Sequence, residues 1–463
     1  MSIFKMTGNP FVNHGIYCIS GILDKEINEI SIDDLYNVAN DEFIYRCDSI
    51  KAYTMVFGMN GPLKQPSFKG DKRKFYKNYL ISLIESINKD ITKNTCKENN
   101  SNCNGNSNSN SNYNTNKKSV CMVCGEEYSE DITDIWINTQ IKSGLEPQKN
   151  DKFEKFIGRE LFPLIGSYGN DAQILPASSK APHICPKCLF AVNFLPLSTM
   201  LMKGKLICLE SNSTELARDL VNKLYNENTK GVNFEDDKRE IPGKKEGNLF
   251  YKTLMQYFGE LKEYRKNLDL KNIELYIWMY SNGGTSPDCE VYEIPNETLL
   301  FLKKISRRDF IDEFYTVIIN DKSRQLFENI VNNQDYLYLY PYKKFNGVSI
   351  ELYEFYQREV VKRSDLYLEI AKKIAKEFIN NKDKKFIDKI SKGDAFKERQ
   401  NVVDLKKLVY EMILNGILTY DEYMEFFNNK GFYLKTNKYD DYLPITFYIN
   451  KFKEGLNGGE ISE

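Results

Sequence analysis

The sequence predicts an α+β fold: a mixed N-terminal region with an embedded four-cysteine zinc site, followed by an α-helical C-terminal bundle. Three observations predict it. Residues Lys271–Tyr280 and Cys289–Ile294 carry strand-period alternation around a glycine-rich turn. From about Val348 onward apolar residues recur at helical spacing. Between them in character, two Cys-x-x-Cys pairs, Cys121–Cys124 and Cys185–Cys188, stand 60 residues apart.

Taken in order, the first region is mixed. Leu35–Cys47 and Phe75–Ile91 read as helices, the second with Tyr76, Leu80, Leu83, Ile84 and Ile87 on one face. The loop Phe57–Pro66 between them is rich in Gly and Pro. Asn94–Lys118 is mostly Asn and Ser; it holds too little apolar surface to offset its ordering entropy and is expected to be a disordered insertion. Strands and helices alternate from Ser119 to about Pro341, with a zinc subdomain at about 119–200. Lys271–Tyr280 and Cys289–Ile294 should form a hairpin. In the helical region, Leu366, Ile370, Ile374 and Phe378 mark one helix. Val402, Leu405, Leu408, Val409 and Met412 mark the next, stopped by Asn415-Gly416, and Thr419 with Glu422 forms a capping box. The expected division is 1–345 and 346–463, the second part a small antiparallel bundle.

Composition narrows the function classes. Of 463 residues, 64 are Lys or Arg and 65 are Asp or Glu, for a formal charge of −1, which excludes a uniformly basic nucleic-acid coat but not a local basic groove. Only two histidines are present, His14 and His183, so histidine-based catalysis and polyhistidine metal sites have almost nothing to draw on. There is no phosphate-binding loop, dinucleotide fingerprint or nucleophile elbow. No apolar run reaches the ~18 residues of a membrane span, and the expected location is the cytoplasm. Cysteines stay reduced there, which favours metal binding over disulfides.

A two-residue gap lets both thiolates of a knuckle reach one ion, and two knuckles complete a tetrahedral four-sulfur site. Cys121, Cys124, Cys185 and Cys188 are therefore the metal candidates, for structural zinc. Four thiolates leave no open coordination position, which argues against catalysis by the ion. His183 precedes Cys185 without the Glu of a zinc deaminase and is expected to be a neighbour of the site.

Basic clustering supplies the nucleic-acid candidates. Lys64, Lys69, Lys72, Arg73, Lys74 and Lys77 face one acid, Asp71, and are interleaved with Phe68, Phe75 and Tyr76, a mixture suited to phosphate contacts with stacking support. Arg358–Arg399 holds 13 basic against 8 acidic residues, most of them expected on the wet face of a helix. Two turns could reach base edges: Gly8–Gly15, with Asn9 and Asn13, and Asn282, Gly283, Gly284 and Thr285 at the hairpin tip.

These segments in this order resemble one family, the large subunit of type I CRISPR effector complexes (Cascade), in the I-B-like subfamily marked by two Cys-x-x-Cys pairs. The resemblance runs through Thr7–Gly15, Gly58–Pro66, Gly158–Gln173, Cys185–Leu197 and the hairpin from Tyr280 to Pro295. Asn13 stands where that family usually has Asp. The resemblance implies a non-catalytic subunit that binds duplex target DNA, senses the protospacer-adjacent motif and aids opening of the duplex. Its implied partners are the guide RNA 5′ handle, the other Cascade subunits and a recruited helicase-nuclease. It makes 1–345 the DNA-recognition region and 346–463 a bundle like the family's small subunit. Two alternatives stay open: a carboxylate-metal enzyme acting on nucleic acid, and a zinc-tethered scaffold.

Overall fold

The computed structural model describes residues 2–41, 53, 56–57, 61–62, 70–98, 119–146, 155–165, 182–199, 201–202, 205–229, 272–281, 288–320, 326–338, 347–381, 387, 399–428 and 442–458. Two compact units emerge. The first takes the described residues up to Ile294 and the second those from Pro295 onward.

The first unit is organised around α1 (Pro10–Leu23), in which every residue from Pro10 to Ser20 is buried. Asn9 caps it: its side-chain oxygen accepts from the backbone N–H of Phe11 (3.0 Å) and Val12 (3.1 Å), and Pro10 occupies the first turn, where its missing N–H costs nothing. The Gly8–Gly15 stretch expected as a loop is thus mostly helix from Pro10. Asn9 followed by Pro and apolar residues is itself a helix-start signature. Asn13 is 4% exposed; its oxygen accepts from Thr7 N–H (2.8 Å) and its amide donates to Thr7 O (2.8 Å). A carboxylate at this position could not make the second bond.

Helices α2 (Ile32–Asn40), α3 (Lys72–Glu98), α4 (Ile132–Lys142), α5 (Pro186–Val192), α6 (Leu195–Ser198) and α7 (Thr214–Thr229) complete the unit with two sheets. Helix α3 buries Tyr76, Leu80, Leu83, Ile84 and Ile87 against α2, α4 and α5, as its spacing predicts. It continues to Glu98, five residues into the Asn/Ser-rich stretch; 99–118 lie outside the described residues. Strands β1 (Ser119–Val120) and β2 (Glu127–Tyr128) form a short antiparallel pair. The larger sheet is antiparallel in the order β3 (Leu201–Met202), β4 (Lys205–Ser211), β5 (Leu275–Ser281), β6 (Asp288–Ile294). The hairpin therefore forms as its alternation predicts. Tyr280 departs from the pattern by being fully buried, because Phe11 of α1 meets its ring edge-on at 4.7 Å.

His14 fastens α1 to this sheet. Its Nδ1 accepts from the backbone N–H of Leu209 (3.0 Å), so Nε2 carries the proton and donates to the Ser198 carbonyl (3.3 Å). Complete burial lowers its pKa to about 4. The unfolded chain takes up a proton below its ordinary value near 6.5, while the native ring resists until about pH 4. Stability is therefore complete above pH 6.5 and falls by about 3 kcal/mol as pH drops toward 4. Urea unfolding at pH 7 and pH 4.5 checks this. His14→Gln, which can accept and donate without titrating, should lose less between those two values than the parent.

The regular elements among the described residues of the second unit are all helical: α8 (Asn296–Ile305), α9 (Ile311–Asn320), α10 (Leu326–Val331), α11 (Ile350–Tyr356), a π-helical turn (Gln357–Val361), α12 (Asp365–Asn381), α13 (Arg399–Leu414), α14 (Tyr420–Asn428) and α15 (Leu443–Gly458). Phe301 of α8 packs against Phe314, Phe355 and Tyr356, tying the early helices of this unit to the later ones. Helices α13, α14 and α15 all contact α12. The stop at Gly416 (φ 69°) and the capping box of Thr419 and Glu422 form as expected. Leu366 is an exception: it is 48% exposed while Ile370, Ile374 and Phe378 are fully buried. A four-residue step drifts by ~40° on a helix of 3.6 residues per turn, so three steps carry Leu366 off the buried face.

Candidate functional site

The two cysteine knuckles arise from different local structures. Cys121–Cys124 is the turn between β1 and β2: Cys121 N–H donates to Glu126 O (2.9 Å) and Gly125 N–H to Cys121 O (2.9 Å). Gly125 takes φ 74°, a left-handed conformation that a side chain would strain. Cys185–Cys188 is the start of α5, with Pro186 in its first turn and Leu189 N–H donating to Cys185 O (3.1 Å). Backbone bonds bring the knuckles together. Met122 N–H donates to His183 O (2.8 Å), and Cys185 N–H points at Cys121 Sγ (3.3 Å).

The result is one cluster. The four sulfurs of Cys121, Cys124, Cys185 and Cys188 all lie within 4.8 Å of one another. Cys121 and Cys188 are 3.9 Å apart at sulfur, Cys124 and Cys185 3.6 Å. Those spacings are far beyond the ~2.05 Å of a disulfide. They match the ~3.8 Å edge of a tetrahedron whose corners lie ~2.3 Å from a central ion. The donor set therefore fits a metal ion. Without a cation the sulfurs cannot all ionise. Hydrogen bonds from Cys124, Cys185 and Cys188 hold the Cys121 thiol far below its ordinary range, and the bond with Cys121 pushes Cys185 and Cys188 up. A bound cation would release that conflict. His183 is exposed, and its ring is outside the four-sulfur set, as the sequence suggests.

A salt bridge surrounds the cluster. Glu126 binds Lys187 (2.7 Å) and Lys5 (3.5 Å), joining both knuckles to the N-terminal segment. A cleft of about 90 Å³ between residues 3–7 and the knuckles reaches Cys124 and Cys188, and Cys124 is the one ligand that is not buried. No local pattern signals this; Lys5, Glu126 and Lys187 meet only in the folded chain.

The nucleic-acid candidates are dispersed. Lys72, Arg73 and Lys74 form the first turn of α3, half-buried in the first case and exposed in the other two. Asp71 caps that turn, accepting from Arg73 N–H (3.0 Å) and Lys74 N–H (3.1 Å). The stacking role expected of Phe75 and Tyr76 is corrected: both are core residues. Phe75 packs edge-on against Trp136 at 5.2 Å, and Tyr76 donates to Asn193 Oδ1 at 3.0 Å. They follow the basic run by one helical step and turn inward with the apolar face. The amides of Asn9 and Asn13 serve the start of α1. Lys64, Phe68, Lys69, Asn282, Gly283, Gly284 and Thr285 lie outside the described residues.

Among the described residues no helix is long and apolar enough to cross a membrane. No curated protein and no solved structure matches the chain. Residues 146–200 match the family described as CRISPR-associated protein (Cas_CXXC_CXXC). That match, over the segment that carries Cys185 and Cys188, supports a CRISPR-associated protein with Cys-x-x-Cys motifs.

Proposed function

We propose that this chain is the non-catalytic large subunit of a type I, I-B-like CRISPR surveillance complex. On this reading it binds duplex target DNA, senses the protospacer-adjacent motif, aids R-loop formation and recruits a separate helicase-nuclease. It sits beside the guide RNA 5′ handle and the other subunits in the cytoplasm, and its later helices act as a small-subunit-like bundle. Protein contacts then read the motif and the backbone while guide pairing reads the sequence. The metal is structural zinc, which four thiolates at these spacings suit.

The observation that carries the nucleic-acid reading is the start of α3. Lys72, Arg73 and Lys74 stack three cations in the first turn of a helix that has no acidic residue there. Each opposes the positive end of the helix dipole, at ~0.3–1 kcal/mol apiece. The Asp71 cap offsets them in part. Phosphate oxygens at this turn would relieve the repulsion and use the same charges.

Reversing all three charges (Lys72→Glu, Arg73→Glu, Lys74→Glu) should weaken duplex binding by the assembled complex for every sequence alike. If each cation neutralises one phosphate, the slope of log affinity against log salt should flatten by ~0.9 per contact. Filter binding from 50 to 200 mM salt reads both quantities. Unchanged affinity and slope would remove this patch from the interface. The non-catalytic part is tested separately: the purified chain with Mg²⁺ or Mn²⁺ should leave nucleic acid intact, and cleavage lost on a single Asp or Glu change would favour the carboxylate-metal alternative.

A further inference from the structure

Strand β6 is the terminal strand of its sheet among the described residues. It pairs with β5 over seven consecutive positions, from Ser281 opposite Asp288 to Leu275 opposite Ile294, without a bulge. Every residue from Asp288 to Glu293 is exposed, although the sequence alternation predicts one buried face. No Lys, Pro or bulge interrupts the strand; the charges it places at the edge are all acidic, Asp288, Glu290 and Glu293.

The chemistry of its two faces is specific. On one face Asp288 and Glu290 alternate with Tyr292, which is 44% exposed; on the other Cys289 and Glu293 flank Val291, which is 46% exposed. Lys205 bridges Asp288 (2.5 Å) and Glu290 (2.6 Å) from two strands away, and the strand itself holds three acids and no base. Such an edge repels phosphate backbones and disfavours nucleic acid. It suits a strand that supplies main-chain hydrogen bonds along the edge, with basic side chains over Asp288 and Glu290 and apolar ones over Val291.

We propose that β6 is the docking edge for a basic, extended segment of another polypeptide, which adds to the sheet as a fifth strand. The occupant has cationic residues alternating with β-branched ones, because Asp288 and Glu290 lie on one face of β6 and Val291 on the other. This surface is independent of the nucleic-acid reading and would stand if that reading failed.

The test uses the full-length chain and a fluorescein-labelled seven-residue peptide of alternating Lys and Val. A Glu/Val peptide and a Lys/Val peptide with two central valines replaced by proline are the controls. Fluorescence anisotropy should show the Lys/Val peptide binding at least tenfold more tightly than either control. The bound peptide should slow amide hydrogen exchange at Cys289–Glu293, and Glu293→Lys in the protein should weaken binding severalfold. Equal binding of the proline peptide would reduce the interaction to charge attraction and overturn strand addition. Slow exchange, before any peptide is added, of the β6 amides that point away from β5 would overturn it too. In that case light scattering distinguishes the cause: a concentration-dependent dimer makes a second copy the occupant, and a monomer means the chain covers its own edge.

Discussion

Removing the metal, or replacing Cys185 and Cys188 together by serine, is expected to unfold the first unit locally and to abolish stoichiometric metal binding. The expected loss is on the order of 10 kcal/mol of local folding free energy, since in a four-thiolate site metal binding and folding are coupled. The reason lies in what the second knuckle starts. Cys185 opens helix α5, whose Leu189, Phe190, Ala191 and Val192 are fully buried and which packs against α1 and α3. Freeing that helix releases a large part of the core, not a surface loop. Elemental analysis of the purified protein, followed by thermal unfolding with and without chelator, measures the effect. One zinc per chain and a transition lowered by chelation are the expected results. Absence of metal together with an unchanged transition in the double-serine variant would reduce the cluster to four packed thiols.

Gly15→Ala is expected to destabilise the first unit by about 3 kcal/mol, the upper part of the usual range for overpacking. A Cβ at Gly15 would meet the carbonyl of Ala191, with the carbonyl carbon at 2.6 Å and its oxygen closer still. The obstacle is backbone of α5, which cannot rotate away as a side chain can. Relief requires α1 and α5 to separate, and α5 is held at its start by the cysteine cluster. Gly8→Ala is the matched control, because a Cβ there meets nothing within 4 Å. Urea unfolding of both variants should show a shift for Gly15 alone. Equal midpoints for the two would mean that the helices part easily.

Both effects depend on a junction that local pattern describes only in pieces. The cysteine spacing pointed to four ligands for one ion, and the chain does bring those sulfurs together. Two-residue knuckles are local chemistry, so their spacing is readable. The helical face of α3, the β5–β6 hairpin, the stop at Gly416 and the Thr419 capping box were readable for the same reason: each depends on residues a few positions apart. The glycines of Gly8–Gly15 suggest a turn, although Asn9-Pro10 carries the helix-start signal. The burial of Phe75 and Tyr76 is hidden because a basic, aromatic run shows composition but not which side of a helix faces the core. The exposure of β6 was not readable at all, since alternation cannot say how far the helical cover extends across a sheet.

By itself, the sequence determined the α+β class, the helical character of the later residues and which four cysteines could share an ion. Those features follow from period, propensity and short spacing, which act within a turn or a strand. Tertiary structure alone decided that Gly15 lies against Ala191, that Lys5 and Lys187 share Glu126, that His14 joins Leu209 to Ser198, and that β6 ends the sheet. These pairings join residues far apart in the chain. They are selected by how the helices and the sheet pack as solids, and no local interaction encodes that.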